Sequence, residues 1–275
     1  EYKKSITFFN QFSKTPIGDE TIKDDTFIRL GDSYFATRNY TSAIQNYRTV
    51  VDKNGAEADY AQYQIGMSYG FKNQDDNKIT ALTKVVNSYQ KSTLKDDALY
   101  QLANTYTKIK NNEKAHQAYD RLLNKHPKSA FLPRALVRQG LLYYNENENS
   151  KALGKFKLIV SKFPNSSDAI EAVRNAKNIY IDDDNLDGYV TWTKTLKFID
   201  ISDSELENST FAIAERKYFE GKNNGAVGSL KKYLRDFPNG KNQLKAKYYL
   251  AEILCKGKQD TEAIEKDKIV IKAGQ

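Results

Sequence analysis

The stretches "KHPKSAFLPRALVRQG" (125–140), "KFPNSSDAIEAVRNAK" (162–177) and "DFPNGKNQLKAKYYLA" (236–251) share one grammar. Each opens on His or Phe before Pro, passes through a polar turn, and enters a run with helical apolar spacing. Pro127, Pro164 and Pro238 lie 37 and 74 residues apart, one and two steps of a single period. Self-similarity at 20–50 residues is the signature of a repeat architecture.

The period extends along the chain. A small residue in the middle of each apolar run serves as anchor: Gly31, Gly66, Ala103, Gly140, Ala176, Ala214 and Ala251, at intervals of 35, 37, 37, 36, 38 and 37. Twelve residues on from these stand Ala43, Lys78, Ala115, Ala152, Gly188, Ala226 and Ala263. Sixteen on stand Tyr47, Leu82, Tyr119, Phe156, Trp192, Leu230 and Asp267, of which six are large and apolar. Pro127, Pro164 and Pro238 fall twenty-four on, with Gly55 in the corresponding turn of the first unit.

Two antiparallel helices per unit account for this pattern. Small residues at the anchor and twelve later let the helices approach where they cross, and the large residue four positions further fills the gap. Pro then ends the second helix, since it lacks an N–H and restricts its predecessor. Ser129, Ser166 or Ser167, and Asn242 are candidate N-caps for the helices that follow. A single pair cannot bury its apolar face, so neighbours stack. The expected fold is all-α, a right-handed superhelical solenoid of antiparallel helix pairs in one domain over 1–275. A partial unit at 1–20 supplies a second helix, with Phe8 at the position of Phe156. Full units follow at 24–55, 57–90, 94–127, 130–164, 167–201, 204–238 and 241–275. Solenoids need polar caps, so the native protein is expected to continue at both ends.

The residues Leu30-Gly31-x-x-Tyr34…Ala43…Tyr47, Leu102-Ala103-x-x-Tyr106…Ala115…Tyr119…Pro127 and Gly140-x-x-Tyr143…Ala152…Phe156…Pro164 resemble the tetratricopeptide (TPR) family. The spacing is longer than the usual 34. With its "FP-[NG]-[SG]" turn it is similar to the bacterial envelope subclass, seen in BamD-like outer-membrane assembly lipoproteins and YbgF/CpoB-like TolA-binding proteins. That resemblance implies a protein-binding scaffold in the periplasm or at the outer membrane of a Gram-negative bacterium. It also implies that first-helix positions approach a concave face where partner segments lie. The residues it marks are Ile28, Phe35, Tyr63, Met67, Tyr100, Asn104, Tyr144, Tyr180, Phe211, Tyr218 and Tyr248. The alternative for this aromatic stripe is packing between repeats. The residues one after each anchor (Asp32, Met67, Asn104, Leu141, Lys177, Glu215, Glu252) differ in kind, as a groove or ordinary drift would allow.

Composition narrows the function classes. Of 275 residues, 39% are hydrophobic and 28% charged, enough apolar surface to fold. No run approaches the 18 apolar residues of a membrane span. The net charge of +8 is spread thinly, without a block of like charges marking a nucleic-acid arm. His116, His126 and Cys255 occupy unrelated repeat positions, which argues against a metal site. "DDNLDG" (183–188) matches the first half of a calcium loop, but Lys194 stands where the bidentate Glu is required, so a polar interhelix loop is expected. No phosphate loop or nucleophile motif occurs, so no enzyme and no cofactor is expected. The expected partners are proteins or peptide segments; the oligomeric state is left open. Two further readings stand beside the scaffold: a helical spacer of a larger cell-wall enzyme, and an RNA-binding helical repeat. The second requires polar base-reading side chains where this chain has Ile28, Tyr63, Tyr100, Val137, Val173, Phe211 and Tyr248.

Overall fold

The structure, a computed structural model, describes residues 1–16 and 18–257. Among these it contains helices and no strand: α1 (Tyr2–Phe12), α2 (Glu20–Ala36), α3 (Tyr40–Asp52), α4 (Ala58–Phe71), α5 (Asp75–Ser88), α6 (Lys95–Lys108), α7 (Asn112–Lys125), α8 (Leu132–Asn145), α9 (Asn149–Lys162), α10 (Ser167–Asp182), α11 (Leu186–Thr193), α12 (Asp203–Phe219) and α13 (Asn223–Asp236). A further helix, α14, covers 243–257. The all-α stack of helix pairs expected from the period is the fold observed. Two compact units are present, Glu1–Lys155 and a second from Phe156 onward.

In the first unit each helix from α1 to α8 packs on the next. Tyr47, Leu82, Tyr119, Leu99, Leu122 and Leu136 are fully buried. Each contributes roughly 1.5–3 kcal/mol through burial. In the second unit α10 packs on α11 and α12, and α12 on α13. Its core holds Phe211, Ala214, Ala226, Leu230, Tyr233, Ala246 and Ile253.

The interlock of small and large positions is physical. A Cβ on Gly66 would lie 2.7 Å from Leu82 Cδ2, and one on Gly31 would overlap the Tyr47 ring. Ala43, Ala103, Ala115, Ala152 and Ala226 are all at 0% exposure, and Gly140 is buried. Ala263 lies outside the described residues. Pro127 and Pro238 follow the C-caps of α7 and α13. There His126 (φ −127, ψ 61) and Phe237 (φ −128, ψ 68) adopt nearly the same non-helical conformation, as residues before proline must. Pro164 follows Phe163 just past the end of α9. Phe8, aligned with the fully buried Phe156, is 68% exposed, because no described helix covers that face of α1.

The turn inside each unit is a recurrent left-handed cap. Arg38, Asn73, Lys110, Asn147, Asp184 and Gly221 have φ between 55° and 70°. The following amide reaches back to a carbonyl five residues earlier: Asn39 to Tyr34, Gln74 to Tyr69, Asn111 to Tyr106, Glu148 to Tyr143, Asn185 to Tyr180 and Lys222 to Lys217. This satisfies carbonyls that a helix end leaves open. The next helix starts at once, with Asn39, Asn111 and Asn185 accepting N–H bonds from Ser42, Lys114 and Gly188. Ser166 caps α10 through Ala169 N, whereas Ser129 accepts from Phe131 N in the turn before α8.

The cap also corrects the register of the fifth repeat. Ala43, Ala115 and Ala226 each stand four residues after the N-cap of their helix. In α11 that position is Tyr189 (3% exposed), not Gly188, and the buried residue four further is Thr193, not Trp192. Gly188 is small for another reason: a Cβ there would meet Asn185 Oδ1 at 2.6 Å, blocking the cap. With tyrosine at the crossing, α11 extends for only 8 residues.

Candidate functional site

The first-helix face of the first unit separates the marked residues into two groups. Ile28 (3%) and Tyr63 (8%) are core. α2 lies against α1 and α3, and α4 against α3 and α5; Ile28 joins the core with Ala43, Ile44, Tyr47 and Val51, while Tyr63 reaches the first helix of the next repeat, α6. The Tyr63 hydroxyl is spent on Asp97 Oδ2 at 2.7 Å, and burial, then Asp97, push its pKa far up. These two are corrected from partner-facing to packing positions. In the second unit Tyr180 (6%), packed against Tyr189 and Trp192, and Phe211 (5%), packed against Tyr233 and Tyr249, are likewise corrected to packing positions. Tyr218 is half-buried, stacks on Tyr249 at 4.1 Å and donates to Glu252 Oε2 at 2.5 Å; Tyr248 is 64% exposed.

The varied row one after the anchor is set largely by what lies beneath it. Tyr47 donates to Asp32 Oδ1 at 2.7 Å, joined there by Tyr60 at 2.9 Å, and Tyr119 donates to Asn104 Oδ1 at 2.9 Å. Burial, then Asp32, raise Tyr60 to about 12. Where the underlying residue is Leu82, the row carries Met67. A buried hydroxyl demands an acceptor and a buried Leu does not, so in the first three repeats the variation follows from repeat chemistry; in the second unit Glu215, above Leu230, instead accepts from Tyr249 at 3.1 Å.

Of the marked residues that remain accessible, Met67 and Asn104 meet in a cleft of about 300 Å³ between α4, α5 and α6. Met67, Gly70 and Phe71 line it from α4, Asp75 and Lys78 from α5, and Asn104, Thr105 and Lys108 from α6. Phe71 is 57% exposed, stacks on Tyr40 at 5.1 Å and meets Phe35 edge-on at 5.4 Å. Lys108 pairs with Asp75 at 2.9 Å across the rim. Tyr100 lies half-buried against Phe131 at 5.2 Å, and Tyr144 is half-buried. The structure therefore brings Met67 and Asn104 together, with Phe35 beside them in contact with Phe71.

Gly70, Phe71, Asp75, Lys78, Thr105 and Lys108 are the cleft residues that reading the sequence missed. Lys78 occupies the crossing position that is Ala43 and Ala115 elsewhere, and its stem runs over Gly70. A Cβ on Gly70 would lie 3.0 Å from Lys78 Cδ. A signal is present in the sequence: the one lysine in the small-residue row and the one glycine four after an anchor fall in the same repeat.

Elsewhere the polar loops are engaged internally. Arg216 binds Asp182 at 3.0 Å and Asp184 at 2.8 Å, Lys217 binds Asp184 at 3.2 Å, and Lys232 binds Asp187 at 3.0 Å. Of the calcium-loop positions, Asp187 is thus held by Lys232 and Asn185 Oδ1 accepts from Gly188 N in the helix cap. His116 pairs with Glu146 at 2.9 Å and stacks on Tyr143 at 4.0 Å. Cys255 is exposed. Among the described residues no group of three His, Cys, Asp or Glu could hold a metal ion, and no helix is long and apolar enough to cross a membrane.

The tetratricopeptide repeat family model matches residues 60–92, 97–129 and 134–166, so the chain carries tetratricopeptide repeats. A search of the curated proteins finds no match. Among solved structures, the chain is similar to the C-terminal part of a TPR repeat-containing protein from Cytophaga hutchinsonii (16% identity, TM-score 0.57, 89% of this chain and 94% of that one). It is also similar to BtubC from P. vanneervenii (13%, TM-score 0.53, 71% and 88%) and to MamA from Desulfovibrio magneticus (16%, TM-score 0.50, 66% and 97%). At these identities the likeness is one of fold.

Proposed function

We propose that the chain is a non-catalytic scaffold that holds a segment of a partner protein on its first-helix surface, in the assembly or maintenance of a bacterial cell envelope. The carrying observation is the cleft between α4, α5 and α6. It combines an exposed aromatic, Phe71, and half-buried Met67 with the side-chain polar groups of Asn104 and Lys108. A concave, mostly apolar site with a few polar groups is the usual form of a recognition site, and aromatic anchors dominate the energy of such contacts. TPR repeats are typically protein-binding scaffolds, which supports the class; the envelope setting rests on the resemblance of the turn motif.

Site-specific photo-crosslinking in the source cell tests this. A photoreactive residue at position 71 or 108 is expected to capture the same envelope protein, whereas one at Gln45, exposed on α3, captures nothing specific. Equal capture from all three positions, or capture of cytosolic proteins alone, overturns the reading.

A further inference from the structure

We propose that Lys78 is an acylation site: its free amine attacks the carbonyl carbon of a small activated acyl donor of the thioester or acyl-phosphate class. The Nζ–C bond forms as the C–S or C–O bond breaks. The thiolate or phosphate leaves with the bonding pair, and the extra amine proton passes to water. The product is a neutral amide and no redox change occurs. This inference is independent of the partner-binding reading.

Three observations carry it. First, Lys78 stands at a helix crossing where four other repeats place Ala43, Ala115, Ala152 and Ala226, and it is half-buried there. Second, Gly70 leaves room along the stem, so the amine opens into the cleft and an acetyl-sized group can reach it. Third, the ammonium lacks a carboxylate. Asp75, the acid of its own helix that acts on it, is taken by Lys108, and Lys78 Nζ has only Gln101 Oε1 at 3.4 Å. An ammonium so placed is poorly solvated and poorly paired, which favours the neutral nucleophilic form. Burial lowers its pKa; Asp75 and Asp97 oppose the shift, and Lys108 adds to it. Lys108, in the same cleft, is 54% exposed and ion-paired, so it supplies an internal control.

The experiment treats the folded chain with acetyl phosphate from pH 7 to 10 and measures acetylation at each lysine by mass spectrometry. Lys78 is expected to react at least about threefold faster than Lys108 at pH 8, and the rise of its rate with pH should begin at a lower pH. The two should react alike in the urea-unfolded chain. Gly70→Ala, confirmed folded by circular dichroism, should slow Lys78 and leave Lys108 unchanged. If Gly70→Ala fails to fold, the comparison of Lys78 with Lys108 in the native chain decides alone. A Lys78 rate equal to or below that of Lys108 in the folded chain overturns the proposal. So does an advantage that persists after unfolding.

Discussion

Glycine to alanine should have opposite signs at two helical positions of the first unit. Gly66 lies under Leu82, and the new Cβ would stand 2.7 Å from Leu82 Cδ2 and 2.8 Å from Cγ. Leu82 is fully buried, so its atoms have no free space to enter. Overpacking of this kind costs roughly 1–3 kcal/mol, and the helix-propensity gain of alanine over glycine offsets up to about 1. Contacts this short with a buried side chain place the cost in the upper part of that range, about 2–3, so Gly66→Ala should lose about 1–2 kcal/mol. At Gly154, exposed on α9 with nothing within 4 Å of a new Cβ, only the propensity gain remains, so Gly154→Ala should stabilise by about 0.5–1 kcal/mol. Urea denaturation followed by circular dichroism reads both as shifts of midpoint in opposite directions. A double-mutant cycle with Leu82→Ala isolates the contact, since removing the obstructing atoms should make Gly66→Ala far less costly. The packing argument fails if Gly66→Ala matches or exceeds wild type, or if its cost is unchanged in the Leu82→Ala background.

Other measurements probe other joints. Arg38 and Lys110 hold φ of 63° and 59°, so Arg38→Gly and Lys110→Gly should each raise stability by about 0.5–1 kcal/mol, read as a higher urea midpoint. Tyr47→Phe, which deletes the bond to Asp32, should cost about 0.5–1.5 kcal/mol and leave the circular dichroism spectrum unchanged. Burial raises the pKa of Glu146, but hydrogen bonds from His116 and Asn112 outweigh it and hold the carboxyl below its ordinary value. A lowered carboxyl pKa contributes stability that is present above the unfolded-state pKa and lost as pH falls through the folded one. Glu146→Gln should thus destabilise at pH 7, by less than about 1 kcal/mol for so solvated a pair, and the difference should fade on acidification below about pH 4. Thermal melts across pH 3–7 check this.

The repeat was legible because its rule is local and steric. Gly31 with Tyr47, and Gly66 with Leu82, are sixteen residues apart in sequence and touch in space. A fixed distance along the chain therefore reports a fixed contact. What escaped has longer or less regular reach. The burial of Ile28, Tyr63, Tyr180 and Phe211 depends on neighbouring helices, and an apolar stripe looks the same whether it meets a partner or the next repeat. The register of α11 was misread because Gly188 imitates the small crossing residue while serving the Asn185 cap. The cleft escaped because it arises from two departures in one repeat, Gly70 and Lys78, and a period search averages departures away.

The matching of Tyr47 to Asp32, of Tyr119 to Asn104 and of Leu82 to Met67 has a consequence for how tandem copies find their proper neighbours. Similar repeats in one chain risk trading halves as they fold. Were the second helix of one repeat to dock on the first helix of another, Leu82 would sit beneath Asp32 and take one of the two tyrosine hydroxyls from its carboxylate, or Tyr47 would sit beneath Met67 and bury an idle hydroxyl. Each such error costs about 1–3 kcal/mol. The side chains that differ from copy to copy thus act as a proofreading code, marking which two helices belong together.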